Sequence, residues 1–160
     1  MASDFPGNGA LRGTNQSGMR DANERLVLSL LRQQGALPRA EVARLTGLSA
    51  QTVSVIMRGL EAEGLLTRGD KQRGRVGQPS VPMALAAEGA FFLGLKVGRR
   101  SSDLVLIDFH GALRGRYSLR HDWPDPARLP DLAAEAAGAL IATMPPAMRP
   151  RLAGMGIALP

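Results

Sequence analysis

The chain has 160 residues, no cysteine, and a net charge of +6 from 20 basic and 14 acidic side chains. This length has room for one ordinary domain or two small ones, and the lack of cysteine excludes disulfides and thiolate metal sites. No run of about 18 uninterrupted apolar residues and no apolar segment of the signal-peptide type occurs, so we expect a soluble, cytoplasmic protein with an anionic partner.

The first predicted elements are an arm and a helix. Residues 1–18 are rich in Gly, Asn and Ser without apolar periodicity, which predicts a flexible arm. We expect order to begin near Ser17 to Asp21; either residue could cap the first helix, and Asp21 with Glu24 has the spacing of a capping box. Gly35 ends this helix, whose apolar stripe consists of Leu26, Val27, Leu30 and Leu31.

A second, short helix is predicted from Pro38 to Thr46, where Gly47 breaks it. Its inward-facing residues are expected to be Val42 and Leu45. A third helix runs from the cap Ser49 to Gly64, and its apolar positions repeat at i, i+3, i+4 and i+7: Val53, Ile56, Met57 and Leu60.

The second and third helices together predict a helix-turn-helix. This motif needs a small residue where the helices cross and a residue tolerant of positive φ in the turn. Ala43 and Gly47 supply both, four positions apart. The alternative is an ordinary helical domain in which three short helices surround a glycine turn.

A basic β-hairpin follows the third helix. Leu65–Arg68 and Val81–Leu85 are predicted to pair as two strands around the turn Gly69–Pro79. Between Leu65 and Ser80 the only acidic residue is Asp70, and the basic residues are Arg68, Lys71, Arg73 and Arg75. Such a wing lets Arg73 and Arg75 reach DNA phosphates or the minor groove, whereas the alternative is a solvated charged loop.

The exposed N-terminal face of the third helix is the expected reading surface. In a major groove this face meets the base edges first. Gln51 is the best candidate for a base contact because its amide can pair with adenine through two hydrogen bonds, and Ser54 can bond either base type. Phosphate contacts are expected from Arg39, Ser49, Thr52 and Arg58.

The second half of the chain has the pattern of a sheet with one helix. Three strands are predicted at Phe91–Val97, Ser102–Asp108 and Leu113–Leu119. An Ala-rich helix at Pro126–Met144 and a last apolar strand at Leu152–Leu159 follow.

Several short motifs, taken in order, resemble the transcription regulators of the ROK family (repressor, open reading frame, kinase). The resemblance extends from about Gly13 to Pro160, and its motifs are Gly13-Thr14-Asn15, Arg20 with Asn23 and Glu24, Gly47-Leu48-Ser49, Gln51-Thr52-Val53-Ser54, Leu60-Glu61, Gly64-Leu65-Leu66 and Gly77-Gln78-Pro79-Ser80. It implies an α+β chain with a winged helix-turn-helix DNA-binding domain at residues 19–85. Residues 86–160 would then be the truncated first part of an actin-like or ribonuclease-H-like sugar-sensing domain, in the order β-β-β-α-β.

The resemblance also implies a function. Family members include repressors of carbohydrate-related genes that bind double-stranded DNA, respond to a sugar through a complete sensing domain, and assemble as dimers or tetramers. Their wing commonly ends in Gly-Arg-Pro, where this chain has Gly77-Gln78-Pro79. Gln78 can still bond acceptors in the minor groove, and Arg75 can supply the charge that a narrow groove attracts.

Two other functions are weighed against this one. Sugar kinases of the family carry Asp-X-Gly-Gly-Thr, which binds ATP phosphates, where this chain has Lys96-Val97-Gly98-Arg99-Arg100. Without the acid that manages Mg²⁺ we expect no catalytic residue, metal or cofactor, while Arg99 and Arg100 either hold an anion or are solvated. A winged helix that binds only protein is opposed by the basic wing and the polar face of the third helix.

Overall fold

The N-terminal half is a small helical domain with a two-stranded sheet. A computed structural model describes residues 16–69 and 81–159, with side chains from residue 18 onward. Its first elements are α1 (Gln16–Gln34), α2 (Arg39–Thr46), α3 (Ala50–Ala62), β1 (Leu66–Arg68) and β2 (Met83–Leu85).

Helix α1 begins earlier than its capping pattern indicates. It starts at Gln16, so Asp21 lies inside the helix and the predicted capping box of Asp21 and Glu24 is wrong. Glu24 instead accepts a hydrogen bond from Arg20, four residues earlier, at 2.8 Å. The predicted end is confirmed, because Gly35 has φ +80° and its N–H donates to the carbonyl of Leu31. Residues 1–15 of the predicted arm lie outside the described residues.

The predicted turn between α2 and α3 is confirmed. Gly47 has φ +72°, and its N–H donates to the carbonyl of Ala43 at 3.0 Å. The inward orientation predicted for Leu45 is wrong, since its exposed fraction is 44% while Val42 is fully buried. A helix of two turns buries only a narrow stripe, and Val42 with the half-buried Ala43 occupies it.

The hydrophobic core of this half draws on every element. Its buried residues are Val27, Leu31, Val42, Val53, Ile56, Met57, Leu60, Leu66, Met83 and Leu85. Strands β1 and β2 pair antiparallel as predicted. Leu37, just before α2, exchanges two backbone hydrogen bonds with Met83, at 2.9 and 3.0 Å, and so ties the base of the wing to the helices.

The second half is a four-stranded sheet covered on one face by a helix. Its elements are β3 (Phe91–Val97), β4 (Ser101–Asp108), β5 (Leu113–Arg120), α4 (Leu129–Thr143) and β6 (Leu152–Ala158). The strand order is β5-β4-β3-β6, with β6 parallel to β3 and the other neighbours antiparallel. The predicted order β-β-β-α-β is therefore confirmed.

Helix α4 packs across β4 and β5. Its buried residues Ala136 and Leu140 belong to one apolar cluster with alternate side chains of β3 and β4, such as Leu93 and Leu104. The helix starts three residues later than predicted. Asp125 instead folds the preceding segment into a turn, where its carboxylate accepts the backbone N–H of Ala127 at 2.9 Å.

The two halves meet through a small set of contacts near Gly89. Phe109, in the turn after β4, packs against the helical core and donates its backbone N–H to the carbonyl of Ala87. Arg151 donates to the carbonyls of Gly89 at 3.1 Å and Glu63 at 3.4 Å, so it links the start of β6 to the end of α3. Among the described residues, no helix combines the length and apolar character needed to cross a bilayer.

Candidate nucleic-acid interface

Helix α3 has one buried face and one exposed ridge. Val53, Ile56, Met57 and Leu60 anchor it in the core. Along the opposite side, Gln51, Val55 and Arg58 are exposed. Because Gln51 and Val55 are four residues apart and Val55 and Arg58 are three apart, they form one continuous strip about two turns long.

The start of α3 is a well-formed cap. The side chain of Ser49 accepts the backbone N–H of Thr52 at 3.0 Å, and the two hydroxyl oxygens are 2.8 Å apart. Both hydroxyls, which we predicted to contact phosphates, therefore lie at the helix start. The positive end of the helix dipole also lies there and favours a nearby anion.

The polar side chains of the next two turns follow the same strip. Gln51 is exposed, whereas Ser54 is half-buried. The Nε of Arg58 donates to the carbonyl of Ser54 at 3.2 Å, so its guanidinium lies back along the helix toward Gln51. The strip thus combines an amide that can read a base edge with a cation beside it.

Arg39 lies elsewhere, in a cluster of charges beside the wing. Its Nη2 is 3.9 Å from the carboxylate of Glu61, which also accepts a hydrogen bond from the Nε of Arg68 at 2.5 Å. The Arg68 hydrogen bond, with smaller charge effects from Arg68 and Arg39, holds the pKa of Glu61 below its usual range despite a smaller opposing effect of burial. The pair of arginines therefore flanks the end of α3 that is farther from Gln51.

The predicted contact residues thus fall into three groups. Five of them lie together on α3 and its cap: Ser49, Gln51, Thr52, Ser54 and Arg58. Arg39 lies by Glu61, and the wing residues Arg73, Arg75 and Gln78 lie outside the described residues. The sequence analysis did not select Arg68 as a DNA contact, although Arg68 is the first basic residue of the basic stretch.

The segment aligned with the kinase phosphate motif forms a closed hairpin turn between β3 and β4. Lys96, Arg99 and Arg100 are exposed. The N–H of Gly98 donates to the carbonyl of Ser101 at 2.8 Å, and a Cβ on Gly98 would lie 2.8 Å from that same oxygen. Glycine is therefore needed here for the hairpin itself.

Asp108, the buried acid at the end of β4, is held by its own turn. Its carboxylate accepts backbone N–H groups of His110 and Ala112 at 2.9 Å each and pairs with Arg114 at 2.8 Å. Burial raises the pKa of Asp108, but the Ala112 N–H, Arg114 and the His110 N–H outweigh it and keep the pKa below its ordinary value. These contacts give Asp108 a structural role.

Comparison with known proteins agrees with this geometry. A family model described as winged helix-turn-helix DNA-binding matches residues 20–67, which extend from the second turn of α1 into β1. The crystal structure of a ROK family transcriptional regulator, a homolog of the E. coli MLC protein, superposes with a TM-score of 0.66 at 23% identity. That match covers 89% of this chain and 36% of the regulator, and it identifies the fold.

A curated relative matches a similar share of this chain. The uncharacterized protein y4fQ of Sinorhizobium fredii (strain NBRC 101917 / NGR234) is 25% identical over 138 residues, which are 86% of this chain and 35% of y4fQ. The chain therefore spans about a third of the length of each of these two proteins (35% and 36%).

Proposed function

We propose that this chain, which carries a winged helix-turn-helix DNA-binding domain within the fold of a ROK family transcriptional regulator, reads specific sequences of double-stranded DNA through helix α3 and regulates transcription. The observation that carries the proposal is the exposed strip of α3. Its polar and cationic side chains stand on a helix whose opposite face is locked into the core.

The dimensions and chemistry of this strip suit a DNA groove. An α-helix with its side chains is about 10–12 Å across, which matches the width of about 12 Å of the major groove. Gln51 would pair with an adenine through its amide, and Ser54 would bond a neighbouring base edge. Ser49, Thr52 and Arg58 would hold the flanking phosphates.

The residues beside the wing would contact the DNA at the other end of α3. Arg39, near Glu61, is the expected phosphate contact there. Arg73 and Arg75 would follow along the wing, and Gln78 would bond minor-groove acceptors. We also assign the chain to two units, a DNA-binding unit at residues 19–85 and a sensing unit from residue 86 onward.

The regulatory part of the proposal rests on the ROK fold. A repressor of carbohydrate-related genes would change its DNA affinity when a sugar binds to a complete sensing domain, and it would act in the cytoplasm as a homodimer or tetramer. Phosphate transfer is not part of the proposed function. Lys96 and Arg99 stand where a kinase needs an acid and a glycine.

The decisive experiment selects bound sequences from a random duplex library and compares wild type with Gln51→Ala. Losing a bidentate base contact should cost about 1–3 kcal/mol of discrimination at one base position and relax the preference there. Gln33→Ala, at an exposed position at the far end of α1, is the matched control and should keep the wild-type preference. Identical preferences for wild type and Gln51→Ala would mean that another face reads the DNA.

A further inference from the structure

A second wall faces the exposed strip of α3 across an open groove. The groove has a volume of about 480 Å³ and runs between the first turns of α1 and those of α3. Its α1 wall carries Met19, Arg20 and Asn23, and its α3 wall includes Gln51, Thr52 and Val55. The residues that we expect to read bases therefore form one side of a channel whose other side belongs to α1.

The α1 wall presents hydrogen-bond donors and one cation. The Arg20 side chain is 61% exposed, and its Nε pairs with Glu24 at 2.8 Å. A terminal nitrogen of Arg20 lies only 3.6 Å from the place that a Cβ on Gly59 would occupy, so the guanidinium lies close against α3. Asn23 adds an amide one turn along α1, and an amide can donate two hydrogen bonds.

The position of this wall beside α3 determines what it would meet. A helix that enters the major groove has a sugar-phosphate strand on each side. On one side of α3 the cations Arg39 and Arg68 lie near the wing, and on the other side lies the α1 wall. Arginine and asparagine side chains commonly donate to phosphate oxygens at such flanks.

We infer that the groove between α1 and α3 holds the backbone of one DNA strand, with Arg20 and Asn23 donating to its phosphates. The inference rests on the proposed DNA-binding function and extends the interface to a second helix. Glu24 accepts its hydrogen bond from the Nε of Arg20 and so orients the guanidinium. The terminal nitrogens of Arg20 are not part of that hydrogen bond. Met19 and Val55, with exposed fractions of 56% and 52%, supply apolar surface for the deoxyribose.

The test compares two arginines on the same helix. Arg20 lines the groove, and Arg25 is exposed on another side of α1, about 140° around the helix at 3.6 residues per turn. The affinity of the full chain for a duplex is measured at several salt concentrations. Arg20→Ala should lower the slope of log K against log salt by about one unit, and Arg25→Ala should leave it unchanged. Arg20→Lys should retain the slope because it keeps the charge.

Asn23→Ala gives a second readout that does not depend on charge. It should weaken binding several-fold for every duplex sequence while leaving both the salt slope and the base preference unchanged, since a phosphate contact carries no sequence information. Thermal unfolding of each variant checks that α1 still folds.

The outcomes separate this inference from the function on which it rests. If Arg20→Ala and Asn23→Ala bind as wild type does while Gln51→Ala loses its base preference, α1 is outside the interface and only this inference fails. Equal losses for Arg20→Ala and Arg25→Ala would also overturn it, since a general charge effect would then explain both. If the wild-type chain binds no duplex in a salt-dependent way, the proposed function itself fails.

Discussion

The two halves of the molecule close their cores to different degrees. In the winged helix, three helices and two strands surround one cluster, and the exposed fractions of Val27, Val42, Val53 and Met57 are zero. In the sheet half, α4 lies over β4 and β5, but within the described residues the apolar side chains at the β6 edge stay open. Met155, Ile157 and Leu159 have exposed fractions of 47%, 60% and 73%.

This difference follows from the geometry of the elements. Short amphipathic helices can bury their stripes against each other within about 50 to 60 residues, since each stripe meets two others. A four-stranded sheet is wider than one helix, because neighbouring strands lie about 4.8 Å apart and a helix is about 10–12 Å across. The helical half therefore has an enclosed core in the described residues, and the sheet half has an open edge.

The largest expected effect comes from comparing two methionines, one from each half. Met57→Ala should lower the free energy of unfolding by about 2–5 kcal/mol, because it empties space in an enclosed core. Met155→Ala should change it by less than about 0.5 kcal/mol, because the side chain is already half in water. Denaturant unfolding of both variants under one condition measures the contrast. Similar losses would show that Met155 is covered in solution and would remove the contrast.

A second prediction concerns the buried acid of the sheet half. Asp108→Asn should destabilise the chain by about 1–3 kcal/mol at neutral pH, since the carboxylate meets two N–H groups and Arg114. Because the folded pKa lies below the unfolded one, this stabilisation is present above the unfolded value of about 3.9 and is lost as pH falls through the folded pKa.

The corresponding measurement is unfolding of wild type and Asp108→Asn across pH 7 to 3. The difference between the two proteins should shrink as the pH falls below about 4, the ordinary pKa of an aspartate. Taking the difference cancels the other carboxylates with lowered pKa values, such as Glu61 and Asp103, which are common to both proteins. If the difference in unfolding free energy stays constant with pH, the loss comes from the shape of the asparagine side chain rather than from the missing carboxylate charge.

The smallest effect tests how the reading helix begins. Ser49→Ala should cost about 1 kcal/mol of stability by removing the acceptor for the Thr52 N–H. Ser29→Ala, at an exposed position in the middle of α1, is the control and should be neutral or slightly stabilising, because alanine is the better helix former. Thermal or denaturant unfolding of both variants decides the matter, and an equally small effect for Ser49 would show that the cap is redundant.

Most of the element order was predictable because its signals are local. The Gly35 and Gly47 breaks, the Ser49 cap and the alternation along β4 depend on a few neighbouring residues each, and the structure confirms them. The exposed positions on α3 were predictable for the same reason. The buried repeat of Val53, Ile56 and Met57 leaves Gln51 and Arg58 on the outer face.

One local and one tertiary cause explain what the sequence pattern missed. Asp21 has capping spacing, yet α1 continues upstream of it to Gln16, and Glu24 pairs with Arg20 instead. Leu45 fits the helical stripe of α2, yet α1 and α3 leave that position in solvent. The Arg20–Glu24 pair is a local i, i+4 contact within α1, whereas the exposure of Leu45 depends on which elements lie nearby.

The sequence by itself determined the succession of helices and strands, the helix-turn-helix spacing and the exposed position of the candidate residues Gln51 and Arg58 on α3, because caps, turns and apolar periods act over a few residues. Only the tertiary structure decided that α1 stands beside α3 with Arg20 and Asn23 facing the same groove as Gln51, that Arg39 shares Glu61 with Arg68, and that Arg151 joins the two halves. These juxtapositions arise from packing between segments far apart in the chain, so no local pattern reports them.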